Sequence, residues 1–229
     1  LTSHAEGKVT NRRSTAPQNL LWYLNRTDPF AGPMTSVICK HDAAREFLSK
    51  KMRAVEIYSK VIDFPLVPYE HEMAGKIDRF NQTLQRMVTV AMHDSNMPMK
   101  YAPYCIEYCI MIYNVVPVES LNWKTRDELK TGSKPDVRYF HRFGLLARVL
   151  LPLELRKHKF HTYTEDCVYL GICPEGKGTR FLRLSNRQVY TRNDCVIYDD
   201  VMPFRSVGGK NAAVNVSSRS ATDHDILYN

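Results

Sequence analysis

Two aspartates, Asp42 and Asp78, with 35 residues between them, are the side chains whose type and spacing best suit chemistry. Asp42 follows a strand candidate, Ser36-Val37-Ile38-Cys39, and Asp78 falls in the first turn of a helix expected to begin just after Gly75. Strand ends and helix starts are where rigid backbone can hold carboxylates around metal ions. A pair of divalent ions about 4 Å apart activates an attacking oxygen and stabilises a leaving one in phosphoryl transfer. The spacing alone is equally what an ordinary sequence contains. Cys105 and Cys109, and the set His158, His161, Cys167 and Cys173, lack the paired Cys-x-x-Cys spacing of a structural zinc site. The run PEGKG (174 to 178) lacks the Gly-Lys-Ser/Thr ending of a phosphate loop and reads as a hairpin turn.

The elements that must position the two aspartates are legible in part. Residues 20 to 27 suggest a short amphipathic helix, and DPFAGP (28 to 33) a turn-rich break. After the first strand, Phe47, Leu48, Met52 and Val55 recur at helical intervals, so a helix is expected over 45 to 55. VIDFPLVP (61 to 68) reads as a second strand. The helix after Gly75 sets Ile77, Phe80, Leu84, Met87, Val88 and Ala91 on one face and Asp78, Gln82, Gln85 and Arg86 on the other. Tyr104 to Asn114 is apolar nearly all round, which suits a buried helix stopping before Pro117.

Beyond Arg138 the texture becomes β-type. Short runs at 145 to 150, 168 to 172, 180 to 184, 188 to 192 and 195 to 198 predict a small five-stranded barrel or sandwich with Leu146, Val149, Val168, Leu170, Phe181, Val189, Val196 and Tyr198 as its core. The domain organisation read from these patterns is 1-126, a linker at 127-140, a β domain at 141-200 and a flexible polar tail at 201-229.

The chain carries 32 Lys+Arg against 24 Asp+Glu, a formal charge of +8, which favours polyanionic partners. From Arg138 to Arg192 there are 11 basic and 4 acidic residues, so the excess sits mainly in the β segment. Arg156, Lys157, Lys159, Lys177, Arg180, Arg183, Arg187 and Arg192 are expected to be left to solvent, with Arg156, Lys157, Lys159, Arg180 and Arg183 as candidate phosphate contacts. No run of about 18 apolar residues exists, so no membrane partner is expected. The six dispersed cysteines read as reduced thiols in an intracellular setting. LTSHAEGKVTNRR, the opening stretch, has neither Met nor an apolar signal run, and the chain is expected to be an internal piece of something longer.

The order of motifs adds a resemblance. KHDAAREF (40 to 47) resembles the stretch of copia-type retrotransposon integrases that carries the second catalytic Asp, and VPYEHEMAGKIDRFNQTLQRM (67 to 87) resembles the one carrying the third carboxylate. NVVP (114 to 117), DELKTGSKPD (127 to 136), RFGLLARV (142 to 149) and VYLGI (168 to 172) are similar, in order, to segments downstream of the core in these polyproteins.

The resemblance spans about 36 to 200 and implies a ribonuclease-H-like α/β core, N-terminally incomplete, then an SH3-like barrel. It further implies DNA strand transfer with Mg2+ or Mn2+ held by Asp42 and Asp78, and element ends and target DNA as partners. Gln82, Gln85 and Arg86 would be DNA contacts. Homo-oligomeric assembly and a nuclear location, with cytoplasmic particles for the parent element, are also implied.

Three departures imply degeneracy. Asp78 stands where the family has Glu, so its carboxylate sits about 1.5 Å further back. Ala43 and Ala44 replace Asn-Gly, and the first catalytic Asp would lie upstream of Leu1. The alternatives are a non-catalytic nucleic-acid-binding or protein-contact module, and an element relic without activity.

Overall fold

The computed structural model describes residues 4–7, 13–27, 37–41, 47–59, 61–65, 71–152, 162–173 and 178–205. They fall into two compact units, one of residues 1–89 with 103–137, the other of 90–102 with 138–229.

In the first unit, β1 (Val37–His41) and β2 (Val61–Pro65) pair in parallel, Cys39 opposite Asp63 and His41 opposite Pro65. Parallel neighbours need a crossover, and α2 (Lys50–Tyr58) supplies it. Ser49 caps α2, its Oγ accepting from the Met52 amide at 3.2 Å. The buried positions of α2 are Met52 and Glu56, one turn apart, while Leu48 is exposed. The apolar stripe read from the sequence is thus displaced towards a face that includes a carboxylate. α1 (Ala16–Thr27) packs beside α2.

The helix carrying Asp78, α3, runs His71–Ser95, so it starts four residues before Gly75 and places Asp78 two turns in rather than in the first turn. Gly75 does not stop it, because helix formation on both sides outweighs a Gly cost of about 1 kcal/mol. α4 (Ala102–Val115) buries Cys105, Cys109 and Ile110, as expected of a helix apolar nearly all round. Phe80 of α3 meets Tyr113 of α4 edge-on at 4.9 Å. Part of the stretch expected as a linker is helical: α5 (Arg126–Thr131) is capped by Thr125 and ends on Gly132. Arg126 fixes it by donating to the Tyr113 carbonyl at 2.7 Å while stacking over that ring. Near the start of the chain, the Asn114 side-chain amide brackets Ala5, accepting from its N–H at 3.0 Å and donating to its carbonyl at 2.7 Å.

The second unit is built on five antiparallel strands: β3 (Leu146–Leu150), β4 (Thr164–Ile172), β5 (Thr179–Arg183), β6 (Val189–Arg192) and β7 (Cys195–Tyr198), in the order β6-β5-β4-β3-β7. The five strands fall where the sequence places them, with β4 beginning four residues early. In place of the expected closed barrel, the sheet is open among the described residues, with β6 and β7 as its edges. The register slips between Tyr169 and Gly171, where Gly171 at φ +109° takes a conformation few side chains tolerate and the strand bends.

Leu146, Val149, Val168, Leu170 and Phe181 are buried as expected, joined by Tyr169 and Leu182. Val196 is not, at 58% exposure, and Val189 and Tyr198 are only partly covered. Val196 lies opposite Arg148 on an edge strand, so its side chain shares a face with that arginine. The apolar character of an isolated valine does not reveal this. The residues expected as a tail lie outside the described residues from 206 onward.

Candidate functional site

Of the expected site residues, Asp42, Arg156, Lys157 and Lys159 lie outside the described residues, as does Lys177. Asp78 is exposed on α3, and Gln82, Gln85 and Arg86 are exposed beyond it. The steps of four and three from Asp78 to Gln82 and Gln85 keep these on one helix face. Asp78 joins no other potential ligands to make a group of three among the described residues.

The group that does form is not among the candidates read from the sequence. His41, at the end of β1, Glu56 of α2 and Asp63 of β2 each present a potential ligand atom, all within 4.8 Å of one another. The βαβ unit produces the convergence. Cys39 and His41 alternate onto one face of β1, Asp63 lies opposite Cys39 on that face, and α2 lowers Glu56 onto it. His41 Nε2 and Asp63 Oδ1 are 2.6 Å apart, with the imidazole 3% exposed and stacked on Phe47 at 4.6 Å. Glu56 is 5% exposed, and its Oε1 is shut off from solvent with no hydrogen-bond partner among the described residues.

Burial first, then the Asp63 charge, pushes the Glu56 carboxyl up, partly offset by His41 and Arg53. Burial and the Glu56 and Asp63 charges likewise push the Cys39 thiol up. A nucleophilic thiol needs a depressed pKa, so this neighbourhood does not suit cysteine catalysis. What it offers instead is one imidazole nitrogen and two carboxylates, atoms of metal-ligand type.

In the β unit, Arg183 departs from expectation. It is drawn to Glu165, with Nη2 donating to Oε1 at 2.8 Å and Nε approaching Oε2 at 2.6 Å as an ion-pair contact rather than an aligned bond. Tyr190 donates to the same carboxylate at 2.7 Å and lies 3.1 Å from Cys167 Sγ. The sequence suggests a solvent-facing Arg183 because its partner lies 18 residues away, and strand pairing alone brings them together. Burial pushes the Cys167 thiol up to about 11. Arg180 is half-buried beside Cys173, whereas Arg187 and Arg192 are exposed, Arg187 over the Phe204 ring at 4.9 Å. No described helix is long and apolar enough to cross a membrane.

No protein-family model matches this chain, and no curated protein does. Among solved structures it is similar to a chain of the simian T-cell lymphotropic virus intasome in complex with PP2A regulatory subunit B56 gamma, at 13% identity and a TM-score of 0.44. The similarity covers 80% of this chain and spans 66% of that one.

Proposed function

We propose that this chain is an integrase-derived polypeptide of the copia type, descended from enzymes that join element DNA ends to a target by metal-assisted transesterification, and that it now binds DNA without catalysing strand transfer. The ordered motif series from 36 to 200 carries this reading. It is supported by the βαβ arrangement at β1, α2 and β2, which ends a strand at His41, directly before Asp42, and by the exposure of Asp78, Gln82, Gln85 and Arg86 along α3. The strand order of the β unit, a four-strand meander whose fifth strand returns beside the first, is compatible with an SH3-like module.

Asp42 and Asp78 would be the surviving Mg2+ or Mn2+ positions. Asp78 with its shorter side chain is poorly placed for in-line chemistry, since a misplacement of about 1 Å costs on the order of a hundredfold in rate.

Fluorescence anisotropy with a labelled DNA duplex tests the binding half. Binding is expected at low salt and should weaken steeply between about 50 and 200 mM salt, because neutralised phosphates release counterions. Arg86→Ala with Gln82→Ala should weaken it at every salt concentration. Binding absent at low salt or indifferent to salt removes the DNA reading. Cleavage or joining supported by magnesium or manganese and abolished by Asp42→Ala removes the claim of lost catalysis.

A further inference from the structure

We propose that His41, Glu56 and Asp63 bind a divalent transition-metal ion of the zinc class, a ligand set that draws on neither of the aspartates singled out in the sequence. The inference stands on the geometry of this cluster and does not rest on the integrase reading. Three side chains from three successive elements bring one imidazole nitrogen and two carboxylate oxygens within 4.8 Å of one another. Such convergence is common among exposed acidic groups. What separates this cluster from a surface patch is Glu56, 5% exposed, with a buried carboxylate oxygen that nothing among the described residues satisfies. Leaving a buried polar group unpaired costs about 1–3 kcal/mol, and more if it is charged. A cation would remove that cost.

The donor set selects the ion. Imidazole with two carboxylates suits zinc or another borderline first-row ion, whereas magnesium favours all-oxygen shells that retain water. Three protein ligands leave a fourth tetrahedral position for water. Bonds of about 2.0–2.2 Å place tetrahedral donor atoms roughly 3.4 Å apart. The His41 and Asp63 atoms, at 2.6 Å, are closer than that because they are placed to share a proton. Loading therefore needs these two side chains to separate by roughly 1 Å, which rotation of the half-exposed Asp63 can provide. The proton between them leaves to solvent, and Nε2 presents its lone pair to the ion. Phe47, stacked on the ring, already holds the imidazole in one plane.

The test uses the full chain stripped of metal, titrated with zinc chloride by calorimetry and, separately, with cobalt chloride followed by visible absorption. One equivalent of zinc should bind to this cluster, with cobalt giving a tetrahedral spectrum lacking thiolate charge-transfer bands. Glu56→Gln and Asp63→Asn should each remove that equivalent or weaken it by about a hundredfold. Glu56→Gln removes a buried charge and should fold at least as well as the parent without metal, so circular dichroism of this variant separates lost ligation from lost structure.

Imidazole nitrogen shifts by NMR give an independent readout. His41 Nε2 should move on zinc addition in the parent and stay in place in folded Glu56→Gln. Absence of zinc binding in the parent, unchanged binding in both variants, or a cobalt spectrum dominated by thiolate would each overturn the proposal.

Discussion

Two carboxylates, a buried one in the first unit and a partly buried one in the β unit, meet opposite fates. Glu165 in the β unit is held by Arg183 and Tyr190, and the three groups complete one another within a single sheet. Glu56 in the first unit lies against Asp63 and a histidine that the aspartate already engages, and its Oε1 has no partner among the described residues. The five-stranded sheet thus balances its own internal charge, while the two-stranded βαβ element carries an electrostatic deficit. The outer surfaces differ in the same sense. Ile38 and Ile62, neighbours on the face of the parallel pair opposite Cys39 and Asp63, are 56% and 49% exposed. Parallel sheets are ordinarily covered on both faces. Here the covered face sets His41 and Asp63 beside the buried Val61, and the open one holds the isoleucines.

The sharpest way to break this contrast is to open the pair in the β unit. Arg183→Met keeps much of the side-chain volume but strands Glu165, and breaking a mostly buried ion pair costs about 3 kcal/mol. Amide hydrogen exchange along β4 and β5 should accelerate by on the order of a hundredfold, since about 1.4 kcal/mol is a factor of ten. Unchanged protection would mean that Glu165 finds no stabilisation in Arg183, and the two units would not differ as described.

The reverse is expected of Glu56→Gln in metal-free protein, a gain of about 1 kcal/mol near neutral pH. Both tryptophans, Trp22 and Trp123, lie in the first unit, so urea unfolding followed by tryptophan emission reports on it. The sign with pH is fixed. The Glu56 carboxyl is raised in the folded protein by burial and by Asp63, with His41 and Arg53 pulling the other way and Cys39 beside it. The parent keeps its full stability below the ordinary carboxylate range, where folded and unfolded chains both hold the proton, and loses it as pH rises through the raised value. The advantage of Glu56→Gln should therefore vanish near pH ~4 or below and open as pH rises. An advantage independent of pH would show that Glu56 does not ionise at a cost.

Much of this framework is legible in the sequence because it rests on local periodicity: the β1, α2 and β2 order, the apolar α4, and the five strands near their expected positions. The site is not. His41 and Asp63 face α2 because of strand parity, and parity is set by which face is covered, which a five-residue strand with isoleucines on the other face does not disclose. Glu56 lies one turn beyond Met52, inside the buried stripe. A carboxylate at that position is the available signal, masked by Phe47 and Val55, which tilt the apolar stripe away from it. Arg183 and Glu165 are unreadable for another reason: residues 18 apart meet only through the β4 and β5 register.

The smallest expected effect tests whether the open isoleucine face is open in solution. Ile38→Thr and Ile62→Thr keep β-branching, and with it the strand preference, so the change isolates the burial of the outer face. A fully buried isoleucine contributes about 1.5–3 kcal/mol by leaving water, so at roughly half exposure each replacement should cost below about 1 kcal/mol. Val168→Thr in the β unit is the control: Val168 is 0% exposed, and a hydroxyl placed there without a partner should cost about 2 kcal/mol. Urea midpoints for the two isoleucine variants, compared with exchange protection of β4 in the Val168 variant, rank the two surfaces. If Ile38→Thr and Ile62→Thr each cost as much as the buried control, that face is covered in solution, and the first unit is no more open than the second.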